Sequence, residues 1–364
     1  MRLKTMLATA AMLAVVIGMN ATASAAEKGS VTLKSAGPLA FGPQGVLLVG
    51  DPKAATVYAI ETGDTSGSAD DVSINIEDLT GTIAKALNAK TVSINDLAAN
   101  PQSGNLYLSV SATGPEAGPT LVKINTDGKV SEFSTEDVRY TKAVLQDAPD
   151  DKLVEGRRGK RNLRLQSITD VAFMEGQVLV SGLSKSDAPS SIRGLSYPFD
   201  ESDPGTSLEI FHGAHGRNED ASAMNTFVPF NINGEPTVLG AYTCTPLVRF
   251  DVKDLVPGKK VKGTTVAELG NRNRPLDMVV YTKDGKDYLL MANSARGVMK
   301  VSTEDIGRAE GITERVGGGG VAGQEYVTIK EWEGVSQLDK LNETHAVVVT
   351  EVDGKTNLMT VPLP

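Results

Sequence analysis

The feature that most constrains this chain is a pattern that occurs six times along it. Each copy has a polar residue, a short apolar strand, a turn with Gly or Asp, a second apolar strand, a loop and a third strand. Self-similar units of this length are typical of repeat architectures, and the copies here are spaced about 50 to 75 residues apart. The copies start at Pro38, Asp96, Asp170, Asn225, Asp277 and Gln337.

Short antiparallel strands repeated radially form a β-propeller. We therefore predict an all-β chain folded as a six-bladed β-propeller, with seven blades as the alternative. The last copy supplies only three strands before the chain ends at Pro364. Residues 30–35 are free to complete that sheet, which would remove an exposed strand edge. We expect the ring to be closed by this N-terminal strand pairing into the last blade.

The first 25 residues have the pattern of a secretory signal peptide. Arg2 and Lys4 precede an apolar run at residues 6–19, and Ala23-Ser24-Ala25 forms a small-residue cleavage site. We expect residues 1–25 to be removed and residues 26–364 to form a single propeller domain. The mature protein is then expected in the periplasm or outside the cell, with no membrane insertion after cleavage.

Two segments resemble the blades of NHL, YVTN and SMP-30-like propellers. They read Leu-Ala-Phe-Gly-Pro-Gln-Gly-Val-Leu-Leu-Val-Gly-Asp at residues 39–51 and Ile-Thr-Asp-Val-Ala-Phe at residues 168–173. The resemblance covers most of the mature chain and implies the fold. It also implies an alternative function, a metal-dependent SMP-30-like hydrolase or lactonase whose ion polarises an ester and activates water. That pattern includes a glutamate from an early blade, where this chain has Pro38.

The starting positions of the six copies should approach the top of the central axis. Five of the six carry side-chain oxygens, which suit Ca²⁺ or a similar hard divalent cation. The same side chains could instead hydrogen-bond the turn that leads into each strand. The candidate metal ligands of this ring are Asp96, Asp170, Asn225, Asp277 and Gln337.

A second candidate metal site combines His212 and His215 with Cys244, the only cysteine. Two imidazoles and a thiolate suit Cu or Zn. Alternatively, the histidines order their glycine-rich loop and Cys244 is a small buried residue. A third interpretation makes Cys244 a nucleophile with His215 as its base.

The loops leading into each first strand and those joining second to third strands should share one face, which we call the top face. Four arginines fall in these loops: Arg217, Arg272, Arg274 and Arg296. They could bind a small anionic ligand or an acidic protein partner. The alternative is that they pair with neighbouring carboxylates in solvated loops.

The net charge of −9 and the predicted export argue against a nucleic-acid partner. No G-x-S-x-G, P-loop or H-E-x-x-H motif occurs, so catalytic residues stay unassigned and we expect a binding or interaction protein.

Overall fold

The computed structural model describes residues 26–115, 118–156, 159–199, 203–244, 246–308 and 310–364. The described residues form six blade sheets and a small two-stranded hairpin, so the predicted six-bladed propeller is confirmed. The predicted signal peptide at residues 1–25 lies outside the described residues. Blades are numbered here by the order of their inner strands along the chain.

Each blade runs from an inner strand at the central axis to an outer strand at the rim. In this order, blade 1 has Leu39–Phe41, Val46–Asp51, Thr56–Glu61, Val138–Val144 and Glu27–Gly29; blade 2 has Thr91–Ala99, Leu106–Thr113, Pro119–Ile124 and Val130–Glu132; and blade 3 has Asp170–Met174, Gln177–Leu183, Ser190–Ser196, Thr206–His212 and Arg217–Glu219. Blade 4 has Thr226–Ile232, Glu235–Ala241, Pro246–Asp251, Thr264–Leu269 and Val321–Gly323; blade 5 has Pro275–Lys283, Lys286–Asn293, Gly297–Ser302 and Tyr326–Ile329; and blade 6 has Val335–Lys340, His345–Val352, Lys355–Pro362 and Asn75–Ile76. Outside these rows, Lys260–Lys262 pairs in parallel with Thr206–His212, Leu153–Val154 pairs with Arg161–Asn162, and short 3₁₀ turns occupy Pro43–Gly45, Leu163–Gln166 and Val252–Asp254.

Tight turns of one kind join the first two strands of blades 3, 4 and 5 and the second and third strands of blade 6. Each turn has two residues with positive φ, the second being glycine, which suits the right-handed twist of a β-hairpin. Glycine reaches this backbone conformation without a steric penalty. The turns are Glu175-Gly176, Asn233-Gly234, Asp284-Gly285 and Asp353-Gly354.

The blades do not follow the order of the chain around the axis. Going round the ring, the inner strands contact one another in the order 1, 3, 4, 5, 6, 2 and back to 1. Six buried apolar clusters fill the six junctions in the same order. Blade 2 therefore lies between blades 6 and 1.

Two crossing strands hold blade 2 in place. After the third strand of blade 1, the chain supplies Asn75–Ile76 as the outer strand of blade 6, and it then builds blade 2. It returns to supply Val138–Val144 as the fourth strand of blade 1. The prediction that the N-terminal strand pairs into the last blade is wrong, because Asn75–Ile76 already occupies the edge of that blade. The N-terminal strand Glu27–Gly29 instead pairs with Val138–Val144 in blade 1.

The connection into blade 2 contains the helix Leu79–Ala86. Asp78 caps it by accepting a hydrogen bond from the Gly81 amide at 3.2 Å. Leu79 and Ile83 are fully buried in the cluster between blades 6 and 2. No helix among the described residues is long and apolar enough to cross a membrane.

Candidate functional site

The upper end of the central channel opens into a polar cleft of about 1330 Å³. All six predicted starting positions line it, one from each blade, so the repeat brings these residues together as expected. They are Pro38, Asp96, Asp170, Asn225, Asp277 and Gln337.

Four aspartates line the lower part of the channel, three of them also line the cleft, and all four join neighbouring blades. In each, one carboxylate oxygen accepts the backbone N–H of the next residue, and the other accepts a backbone N–H of the following blade around the ring. For Asp170 these donors are Val171 and Phe227, both at 2.8 Å. The equivalent pairs are Leu97 and Leu39 for Asp96, Met278 and Leu338 for Asp277, and Lys340 and Ala99 for Asp339. We call these four residues the aspartate ring.

Sequence analysis missed Asp339, which holds the ring position of blade 6. It lies two residues further down the inner strand than Gln337 and lines the lower part of the channel. Its sequence signal is weak, since Asp96, Asp170 and Asp277 are each followed by an apolar residue, whereas Asp339 is followed by Lys340. Gln337 remains at the cleft, where its amide donates to the Asn95 carbonyl at 3.3 Å.

Burial and mutual repulsion perturb the aspartate ring. Burial raises the pKa of Asp170 to about 6, and the hydrogen bond from Phe227 opposes this. Burial likewise raises the pKa of Asp339 to about 6. The pKa values of Asp96 and Asp277 lie well above the usual range, and burial is the largest cause for both. The negative charge of Asp170 raises the pKa of Asp96 further, and that of Asp96 raises the pKa of Asp277. The ring therefore favours protons, or a nearby cation, more than free carboxylates do.

The aspartate ring is not a tight chelate. Among the described residues, none of its carboxylates belongs to a group of three donor atoms within 4.8 Å of one another. Asn225 accepts a long hydrogen bond of 3.4 Å from the Thr243 hydroxyl. The hydrogen bonds observed at the aspartates tie the inner strands of four blades to the neighbouring blade, rather than to the turn that leads into each strand.

The loop at residues 270–274 displays two of the predicted arginines at the mouth of the cleft. Buried Asn273 donates to the carbonyls of Gly270 and Asn271 at 2.9 and 3.1 Å, and Arg296 also donates to the Asn271 carbonyl at 3.1 Å. Arg272 and Arg274 line the cleft and are exposed. Within the described part of the chain, neither guanidinium has an ion pair or a hydrogen bond. Arg296 therefore supports the loop, and Arg272 and Arg274 are available to a ligand.

Cys244 also lines the cleft, on the loop between the second and third strands of blade 4. Its amide donates to the Asn273 carbonyl at 2.9 Å, which joins the two loops. Neither predicted histidine lines this cleft. His212 ends the fourth strand of blade 3, near the rim, so the radial position of each loop separates the thiol from the imidazoles.

The two histidines lie together at the rim between blades 3 and 4. The Nδ1 atoms of His212 and His215 each lie 2.9 Å from a different carboxylate oxygen of Glu219. Arg217, the remaining predicted arginine, donates to Glu219 at 2.9 Å. Sequence analysis missed Glu219, although its position four residues after His215 in a short hairpin was a usable signal.

Comparisons with known proteins give only remote likenesses. No protein-family model matches the chain, and no curated protein matches it. Among solved structures, it is similar to the PQQ-bound aldose sugar dehydrogenase of Streptomyces coelicolor, at 10% identity over 92% of this chain and 96% of that one, with a TM-score of 0.35. The soluble aldose sugar dehydrogenase of Escherichia coli in its apo form matches at 11% identity over 91% and 97% of the two chains, with a TM-score of 0.32.

A further match is Drosophila semaphorin 1b, extracellular domains 1–2, at 11% identity over 93% of this chain and 87% of that one, with a TM-score of 0.35. Superpositions this loose carry no argument about activity. The site residues of this chain must therefore be interpreted from their own geometry.

Proposed function

We propose that this protein is a binding protein that takes up a small anionic ligand at the top of its central channel. The observation that carries the proposal is the pair Arg272 and Arg274. Both are exposed at the mouth of a polar cleft, and neither is neutralised by a described residue. Guanidinium groups suit planar, bidentate contacts to carboxylate or phosphate.

The size and lining of the cleft support a small ligand. A volume of about 1330 Å³ exceeds that of a typical small-molecule pocket, so the ligand would share the cleft with water. Amide and hydroxyl groups such as Asn95, Ser111, Thr243 and Gln337 line the walls. They can donate and accept hydrogen bonds, which suits an anion that also carries hydroxyl groups.

The aspartate ring sets the polarity along the channel axis. Its carboxyl groups lie below the arginines, so positive charge at the mouth gives way to acidic groups at the neck. An anionic group of the ligand would therefore remain at the mouth, with its neutral hydroxyl-bearing part directed towards the neck. A small sugar acid or hydroxy acid has this arrangement of groups.

A central cation is the second candidate, supported by the raised pKa values of the aspartate ring. An ion held through water in the channel would relieve the repulsion among these carboxylates. The SMP-30-like hydrolase is less well supported, because that chemistry needs an ion chelated directly by Asp96, Asp170, Asn225 and Asp277. The carboxyl oxygens of this set are too far apart for a preformed chelate.

Replacing the arginines at the mouth tests the binding proposal. Citrate, gluconate, glucose 6-phosphate and inorganic phosphate serve as probes in isothermal titration at low salt. We expect at least one probe to bind the native protein, and binding to weaken about 10-fold or more in Arg272→Ala and in Arg274→Ala, since a charge-assisted hydrogen bond contributes roughly 1.5–3 kcal/mol.

Arg139→Ala is the matched control. It removes the same charge from an exposed arginine on the fourth strand of blade 1, Val138–Val144, where Arg139 pairs with Glu61. Equal weakening by Arg139→Ala would indicate a general charge effect and contradict the site. Binding that survives in the Arg272→Ala and Arg274→Ala double variant would overturn it as well.

A further inference from the structure

A second candidate site lies at the rim of the propeller, away from the central cleft. His212 and His215 stack with ring centroids 3.9 Å apart and planes inclined by 35°. Glu219 holds both rings through its two carboxylate oxygens. One ligand atom from each of the three residues lies within 4.8 Å of the others, the one group of this kind among the described residues.

The backbone holds the three side chains in this arrangement. His212 ends one strand of the outer hairpin of blade 3, and Glu219 lies on the partner strand Arg217–Glu219. Between them the chain makes a tight turn, in which the amides of His215 and Gly216 donate to the His212 carbonyl at 3.1 and 2.8 Å. A site whose ligands lie on one short hairpin needs little reorganisation to bind an ion.

Neighbouring segments fix the turn from outside. Glu268, on the fourth strand of blade 4, accepts the backbone N–H of Gly213, the residue that follows His212. The Gly213 carbonyl accepts the Val316 amide at 2.9 Å. The candidate site is thus held between blades 3 and 4 and the connection from the third strand of blade 5 to the outer strand Val321–Gly323 of blade 4.

Two buried polar atoms at this place have no hydrogen-bond partner among the described residues. They are Nε2 of His212 and Oε2 of Glu268, on side chains of residues that are 4% and 1% exposed. Buried polar atoms are nearly always paired, so each unpaired one requires an explanation. These two atoms are distinct from the Nδ1 atoms and Glu219 oxygens that face one another, and they show that the junction has room for further polar partners.

We propose that His212, His215 and Glu219 bind one divalent transition-metal ion of the zinc type. Two imidazole nitrogens and a carboxylate oxygen are the ligands of many tetrahedral zinc sites. The set contains nitrogen donors, so it favours Zn²⁺, Cu²⁺ or Ni²⁺ over Ca²⁺ and Mg²⁺. The side chain of His215 is 47% exposed, so an ion can enter from solvent and complete its coordination with water.

The ion would replace the hydrogen bonds that now link the three side chains. Zinc ligands at about 2.0–2.1 Å from the metal are roughly 3.3 Å apart in a tetrahedron. The present separations of 2.9 Å between each Nδ1 and its Glu219 oxygen are close to that spacing. One ligand atom from each of the three residues already lies within 4.8 Å of the other two.

Metal titration of the chelator-treated native protein tests the proposal. We expect one equivalent of Zn²⁺ to bind by isothermal titration, with no binding of Ca²⁺ or Mg²⁺ at this site. Co²⁺ should give the visible absorption of a nitrogen- and oxygen-ligated ion. Both His215→Ala and Glu219→Gln should weaken Zn²⁺ binding by about 100-fold or more, since changes even one shell further out cost 10–100-fold.

His345→Ala is the matched control, because His345 lies in blade 6 and belongs to no group of potential ligands among the described residues. Circular dichroism checks that each variant is folded. The proposal is overturned if the native protein binds no Zn²⁺, or if His215→Ala binds it as tightly as His345→Ala does. Cys244→Ser should bind Zn²⁺ normally, and loss of binding in that variant would show that the ligand set is wrong.

Discussion

The aspartate ring makes the stability of this propeller depend on pH in a direction opposite to that of most carboxylates. An unfolded aspartate titrates near pH 3.9, whereas folding raises the pKa of Asp170 to about 6. Between these values the folded state binds more protons than the unfolded state, so the free energy of unfolding falls as pH rises. The contribution is fully present below pH ~4 and is lost as pH passes through about 6.

The size of the effect follows from the shift. A difference of about two pKa units corresponds to roughly 3 kcal/mol per group. The side chains of Asp170 and Asp339 are half-buried and face the channel, so water there screens them. We therefore expect Asp170 alone to contribute about 1–2 kcal/mol.

Urea unfolding at pH 4.5, 5.5, 6.5 and 7.5 measures the dependence, and comparison with Asp170→Asn isolates the group. The amide cannot ionise, so the decline in unfolding free energy between pH 4.5 and 7.5 should be smaller in the variant by about 1–2 kcal/mol. Asp71→Asn is the control, because Asp71 is exposed. Identical slopes in the native protein and Asp170→Asn would refute the reasoning. Loss of the slope on adding Ca²⁺ would favour a cation in the channel.

Two further predictions concern the fold. Gly182→Ala should lower the free energy of unfolding by about 1–3 kcal/mol, because its Cβ would overlap the carbonyl oxygen of Ser167, and an unchanged urea midpoint would contradict this close approach. In a Cys244→Ser background, Asn75→Cys with Met359→Cys should form a disulfide, because the two residues lie opposite each other in blade 6. Its absence on non-reducing electrophoresis of the folded, oxidised protein would contradict the blade order.

Local pattern was sufficient to predict the blades but not their arrangement. Alternating apolar residues and turn glycines mark the strands of Asp170–Met174 and Gln177–Leu183 without tertiary information. The position of blade 2 between blades 6 and 1 depends on which edge accepts Asn75–Ile76, a two-residue strand with no distinctive sequence signal. The distance of each loop from the propeller axis cannot be read from the sequence either. For that reason His212 and Cys244 were expected together, although one lies at the rim and the other at the axis.

The same limit applies to the candidate sites. The starting positions of the six copies converge at the channel because each inner strand begins at the axis, so repeat alignment alone brought Asp96, Asp170 and Asp277 together. Asp339 was missed because a shift of two residues keeps a side chain on the same face of a strand but moves it along the axis. Glu219 was missed because a hairpin turn, and not the repeat of the blades, brings it to His212 and His215.

The distribution of the aspartates explains where the cleft is open. They join blade 2 to 1, 3 to 4, 5 to 6 and 6 to 2, and among the described residues no inner-strand aspartate joins blade 1 to 3 or blade 4 to 5. At those two junctions the upper loops are joined instead by the Ser167 hydroxyl with the Pro52 carbonyl, and by the Cys244 amide with the Asn273 carbonyl.

Long side chains that line the cleft lie at the same two junctions. Leu165 and Gln166 lie beside the first, and Arg272 and Arg274 lie beside the second. An inner-strand aspartate fixes two backbone N–H groups and draws adjacent blades together at the neck. Where it is missing, the loops above line the opening, and a ligand held by the arginines would enter at the junction of blades 4 and 5. The carboxylates that close the ring lie at other junctions than Arg272 and Arg274, so the two sets of opposite charge are separated around the axis as well as along it.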